Sequence, residues 1–152
     1  MAENVILLSD FTDSRFRTAF QTYFHELDIS VKDWDGLFRE MDEEKVNQAF
    51  LLTGVGGEAL GFLQFQTASF THWFLEEPFG FIREFWVAPA FRRRGYGSLL
   101  LERTEAYFLE HGAHRAILTA DDAAAFYLAH GYKKAPGIQA KNNMEVFSKT
   151  LA

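Results

Sequence analysis

The chain contains no cysteine. Disulfides, thiolate–zinc sites, iron–sulfur clusters and cysteine nucleophiles are thereby excluded. Only 3 of its 152 residues are proline, so no Pro-rich linker interrupts it. No apolar run approaches the ~20 residues of a membrane-spanning helix. The N-terminal MAENVILLSD carries an acid where a signal peptide carries bases, and its apolar run is too short for the core of one. Positive charge is in deficit: 15 Lys and Arg against 21 Asp and Glu leave a net charge of −6. A domain-wide nucleic-acid footprint would be basic, so nucleic acid is not an expected partner. Apolar and aromatic residues are plentiful instead, at 48% hydrophobic with 17 Phe. That excludes a disordered chain and suits one domain with its own core. The expectation is a single soluble cytoplasmic domain over 1–152, with no membrane segment.

Hydrophobic spacing orders the elements. Residues 4–8 (NVILL) read as a strand. Residues 13–27 read as an amphipathic helix, with Phe16, Phe20, Tyr23, Phe24 and Leu27 recurring at three and four. Asp13 is placed to cap it. A second helix over 33–44 uses Trp34, Leu37, Phe38 and Met41. The period then becomes two: 48–53, a GVGG turn at 54–57 and 58–70 form a hairpin. Residues 71–79 read as a loop with His72, Trp73, Glu76, Glu77 and Pro78. A buried strand follows at 80–89, then a Gly loop opening a helix within 92–112 with Gly112 at its end. A strand at 115–120, a short helix at 121–131 and closing strands at 132–135 and 143–151 complete the chain. The order predicts a mixed α/β fold around a central sheet.

Chemistry concentrates in 81–132. The strand 81–89 feeds Arg92-Arg93-Arg94-Gly95-Tyr96-Gly97-Ser98, and a helix starts at once. A helix start presents N–H groups and a positive dipole end to phosphate oxygens. Gly95 and Gly97 let backbone approach an anion, and the Arg run adds charge-assisted bonds. The segment reads as a pyrophosphate cradle. G-x-G-x-x-G fails because position 100 is Leu, and no P-loop sequence occurs.

R-x-x-G-x-G over Arg92–Gly97 resembles the acetyl-CoA pyrophosphate loop of the GNAT superfamily of N-acetyltransferases. Val87-Ala88-Pro89 before it resembles the family's V-x-P. Ala123-x-x-Phe126-Tyr127-x-x-x-Gly131-Tyr132 after it resembles the family's A-x-x-F-Y-x-x-x-G-[FY]. One departure is visible: where the family often has Asn, this chain has Ala120, with Asp121 and Asp122 as the nearby polar residues. The resemblance implies a mostly antiparallel twisted sheet of six to seven strands with splayed middle strands and four flanking helices. It implies a β-bulge in the strand over 81–88 and acetyl-CoA as acyl donor. It implies cofactor contacts from the main chain of Phe85, Trp86 and Val87, from Arg92, Arg93, Arg94, Gly95, Tyr96, Gly97 and Ser98, and from Tyr127. The implied reaction is direct attack of a primary amine on the thioester in a ternary complex, with Tyr127 as proton donor to the leaving thiolate. The acceptor is a small molecule or a protein amine.

Glu84 sits mid-strand beside the expected bulge. It reads as a base or amine binder, or equally as half of a structural ion pair. Other residues also carry plain alternatives. The Arg run can be a solvated cluster, and Arg83 can pair with an acid. Tyr127 can be an ordinary helix aromatic, while Phe126 reads as core. Asp121 and Asp122 read as helix caps. Trp73, Phe74 and Phe79 read as core, acceptor pocket or dimer face. The five His residues lack metal-ligand spacing, and no metal is expected. A homodimer, with 132–151 as exchange surface, stays open. A catalytically silent acyl-CoA sensor is the second functional reading.

Overall fold

Helical spacing ends at Glu44, and the next strand starts at Asn47. In the computed structural model, which describes residues 4–120, 123–142 and 144–151, the strands are β1 (Asn4–Leu8), β2 (Asn47–Thr53), β3 (Ala59–His72), β4 (Leu75–Val87), β5 (Arg115–Ala120), β6 (Lys133–Lys134) and β7 (Glu145–Thr150). The helices are α1 (Ser14–Glu26), α2 (Trp34–Glu44), α3 (Tyr96–Glu110) and α4 (Ala124–Ala129). The strands form one sheet in the order β1-β2-β3-β4-β5-β7-β6. β1 pairs antiparallel with β2, and β5 and β6 both pair antiparallel with β7. β4 and β5 run parallel. Parallel neighbours need a crossover connection, and α3 supplies it. The fold is the expected one: a mixed, mostly antiparallel open sheet with four helices.

The chain forms two compact units, Met1–Phe65 with Glu84–Thr104, and Gln66–Arg83 with Glu105–Ala152. In the first, the apolar stripe of α1 does the packing. Phe16 and Phe20 are buried, with ring centroids 5.2 and 5.6 Å from Phe62 of β3. Phe38 of α2 closes on Phe20 at 5.9 Å. Burying each such ring is worth about 1.5–3 kcal/mol, so this cluster, with Phe11, Ala49, Leu51 and Trp86, anchors the unit. Asp13 caps α1 by accepting from the Arg15 and Phe16 amides. Asp33 caps α2 through the Gly36 amide.

In the second unit β5 alternates half-buried and buried residues, the pattern of a strand with two unlike faces. Its Ala116 and Leu118 are buried, as are Phe108 of α3 and Phe147 of β7. A Cβ on Gly80 would collide with the Phe108 ring, so the missing side chain is what lets α3 sit on β4.

Three sequence expectations are corrected. The 71–79 loop is instead the tip of a long hairpin, where β3 runs to His72, a turn takes Trp73 and Phe74, and β4 starts at Leu75. Residues 69–77 are all exposed, so no alternation marked them as strand, and Pro78 is accommodated within β4. Trp73 and Phe74 are 89% and 87% exposed, which removes the core reading for both. The helix expected over 121–131 is shorter. Ala123 stands at its N-cap without a side-chain bond, and the expected caps Asp121 and Asp122 lie outside the described residues. No helix among the described residues is long and apolar enough to cross a membrane.

Candidate active site

β4 ends at Val87, a single 3-10 turn takes Pro89–Phe91, and Arg92–Gly95 lead into α3. Arg92, Arg93, Arg94 and Gly95 are exposed, while Tyr96, Gly97 and Ser98 are half-buried at the helix start. Two left-handed residues shape the bend: Gly95 at φ +87° and Arg93 at φ +65°. The other non-glycine positive φ values among the described residues, at Asp28 and Lys45, lie just past helix ends. Arg93 likewise lies just past a helical end, after Arg92 caps the 3-10 turn Pro89–Phe91. Arg92, just before it, is extended at φ −71° and ψ 156°. The Arg94 guanidinium stacks 5.4 Å above the Phe91 ring.

Arg92 is held more tightly than its neighbours. Its Nε donates to the Val87 carbonyl at 2.7 Å and its Nη2 to Glu26 Oε2 at 2.9 Å. The same carboxylate accepts from Trp86 Nε1 at 2.8 Å. Burial pushes the Glu26 carboxyl up, but the Trp86 and Arg92 donors outweigh it and hold the group below its ordinary range. Sequence reasoning missed Glu26, which closes α1 66 residues before Arg92.

β4 carries the other expected contacts. Trp86 is buried, and Glu84, Phe85 and Val87 are half-buried. Gly80 lies against Phe108 of α3. Trp86 lies against Glu26 of α1 and Phe62 of β3. A Cβ on Gly61 would come within 2.6 Å of the Trp86 carbonyl oxygen and 3.2 Å of Val87 Cα, so β3 and β4 approach closely there. Glu84 Oε2 is shielded from solvent. Burial first, and then the Glu84 charge, push the Tyr23 hydroxyl of α1 up. Tyr23 packs edge-on to Phe62 at 5.7 Å, so it shares a neighbourhood with Glu84 that its helical spacing did not announce.

Tyr127 lies in the second unit, on α4, and is buried at 7% exposure. Phe126, expected in the core, is only half-buried. Tyr132 backs Tyr127 at 5.8 Å between ring centroids, and its amide closes α4 on the Tyr127 carbonyl at 3.1 Å. The Tyr132 hydroxyl donates to Glu105, which Lys149 also binds at 3.0 Å.

The sequence profile of the acetyltransferase (GNAT) family matches residues 8–132. The chain belongs to the GNAT family. Solved structures of acetyltransferases share its fold. A GNAT-family acetyltransferase from Staphylococcus aureus Mu50 aligns over 99% of this chain and 100% of its own, at 13% identity and a TM-score of 0.72. N-acetylglutamate synthase from Neisseria gonorrhoeae, complexed with coenzyme A and L-arginine, aligns over 99% of this chain and 33% of its own, at 15% identity and TM-score 0.73. An aminoglycoside acetyltransferase from an uncultured soil metagenomic sample, complexed with sisomicin, aligns over 84% of both chains at 17% identity and TM-score 0.67. No curated protein matches this one. GNAT membership supports acyltransferase activity with acetyl-CoA as the family's donor.

Proposed function

We propose that this GNAT chain is a single-domain N-acetyltransferase that transfers acetyl from acetyl-CoA to a primary amine in a ternary complex. The 92–98 loop carries the reading: exposed arginines, left-handed Arg93 and Gly95, and the start of α3 follow one another in the chain. These features fit a pyrophosphate. A Cβ built on Gly95 would meet nothing within 4 Å, so the approach to the backbone is open there. Arg93, Arg94 and the N–H groups of Gly95 to Ser98 are assigned to the phosphates, and Arg92 presents whatever donors its internal bonds leave. Main chain from Phe85 to Val87 is assigned to the pantetheine arm and to the thioester oxygen.

Acetyl-CoA supplies an activated acyl group, so no covalent enzyme intermediate is required. The protein's part is to hold the amine beside the thioester and to move two protons. A lysine-like amine has a pKa of about 10.4 and must lose a proton before it attacks. Glu84, shielded and near enough for its charge to act on the Tyr23 hydroxyl, is assigned as base or amine binder. Tyr127 is assigned to give its hydroxyl proton to the departing thiolate. The acceptor is an amine, small or on a protein, as aminoglycosides are for one fold relative by its description.

The test is calorimetric titration with acetyl-CoA and with CoA, followed by an amine panel read by thiol release. Micromolar saturable binding with amine-dependent thiol release is the expected result. Tyr127→Phe slows turnover and leaves CoA affinity within about twofold. Binding without thiol release from any amine makes the chain an acyl-CoA sensor instead. Absence of binding removes the loop assignment.

A further inference from the structure

The first residue of the loop is positioned from inside the protein. The Arg92 guanidinium has five N–H donors in a rigid fork. Nε is spent on the Val87 carbonyl and one Nη2 hydrogen on Glu26 Oε2. These two donors share one edge of the fork. The opposite edge, formed by Nη1 and the second Nη2 hydrogen, keeps its donors, and the side chain stays 47% exposed. Glu26 in turn is 31% exposed and is fixed from its other oxygen by Trp86 Nε1. Trp86 is buried in the aromatic cluster and cannot follow a moving loop. One carboxylate at the end of α1 thus ties the side chain of Trp86 to Arg92 at the entry of the loop, and Arg92 in turn holds the carbonyl end of β4.

We propose that Glu26 is a positioning residue of the CoA site: it locks Arg92 side-on, so that the outer edge of the guanidinium meets the pyrophosphate already oriented. This rests on the assignment of the loop to pyrophosphate above. A half-exposed ion pair adds little net stability. What it supplies here is orientation, and a donor fork held in place before binding loses less freedom when the ligand arrives. The carboxylate lowers the local positive potential somewhat, so the proposal commits to a sign: preorganisation outweighs the lost attraction.

The experiment measures CoA affinity by titration calorimetry for the full chain, Glu26→Gln, Glu26→Ala, Arg92→Gln and the double variant Glu26→Ala/Arg92→Gln, with melting curves as the folding control. Glu26→Ala is expected to weaken CoA binding about tenfold and Glu26→Gln by less, since the amide still accepts one bond. KM for acetyl-CoA should rise while kcat and the acceptor KM stay within about twofold. In the Arg92→Gln background, Glu26→Ala should have no further effect, because Glu26 acts through Arg92. Unchanged or tighter CoA binding in either folded Glu26 variant overturns the proposal, and so do additive effects in the double variant. A wild-type chain that binds no CoA overturns the loop assignment and this proposal with it. A wild type that binds normally with an indifferent Glu26 overturns only the latter.

Discussion

The Tyr132 hydroxyl donates to Glu105 Oε2 at 2.9 Å, and the ring behind it stands edge-on to Tyr127. Tyr132 is 1% exposed. Burial, and then the Glu105 carboxylate, push its hydroxyl far above the usual range, so it stays a donor at any working pH. Tyr132→Phe keeps the ring and removes the bond, leaving Glu105 to Lys149 alone. A hydrogen bond to a charged group is worth about 1.5–3 kcal/mol. Urea unfolding should show a loss toward the lower figure, as Lys149 still satisfies the carboxylate. A change below about 0.5 kcal/mol would mean that the pair is not formed in solution.

Glu84→Gln tests the base assignment by its pH dependence. The free amine becomes scarcer as pH falls below its pKa, so a base matters most there. The variant should lose about 10²-fold or more in kcat/KM at pH 6.5 and less at pH 9.5. A parallel drop across that range would make Glu84 a structural acid.

Gly61 is required by space. A Cβ there would sit 2.6 Å from the Trp86 carbonyl oxygen and 3.2 Å from Val87 Cα, both backbone atoms of β4. Gly61→Ala should cost about 1–3 kcal/mol by forcing β3 and β4 apart. Because the shift falls on Trp86 and Val87, CoA affinity should drop as well. Wild-type stability in this variant would show that β4 yields freely.

Acid should weaken the fold through α1. The Arg15 hydrogen bond, chiefly, holds the Asp13 carboxyl below its ordinary range, as the Trp86 and Arg92 donors hold Glu26 against burial. Such a group binds its proton more weakly folded than unfolded. Its stabilisation is complete above the unfolded pKa and is lost as pH falls through the folded one. Asp13→Ala should cost about 1 kcal/mol at pH 7 as a lost cap, and less at pH 3. Equal costs at both pH values would refute the charge contribution.

The hairpin tip makes a contrary prediction. The Trp73 and Phe74 rings stand edge-on with centroids 6.4 Å apart, and both are exposed. Trp73→Ser and Phe74→Ser should therefore move stability by no more than about 0.5 kcal/mol. A larger loss, with a lower sedimentation coefficient, would reveal that the tip is covered by a second copy in solution.

Asp13 and the Phe16–Phe20–Tyr23–Phe24 stripe define α1 because a cap and a helical face are encoded within a few residues. The loop at Arg92–Ser98 was legible for the same reason: glycines, arginines and a helix start lie next to one another in the chain. The hairpin tip was not, since residues 69–77 are all exposed and show no alternation for a period to reveal. Nor was the close approach of Gly61 to the Trp86 carbonyl, which shows only in the packing of β3 on β4.

The sequence by itself determined the element order, the mixed sheet and the phosphate-loop composition, because capping, period and glycine placement act over short distances. Tertiary structure decided which arginine is anchored and which are presented. Glu26 and Arg92 are 66 residues apart, and no local pattern marks either as the other's partner. Their meeting depends on α1 burying its aromatic face against β3 and β4, a packing outcome that places the end of the helix beside the entry to the loop.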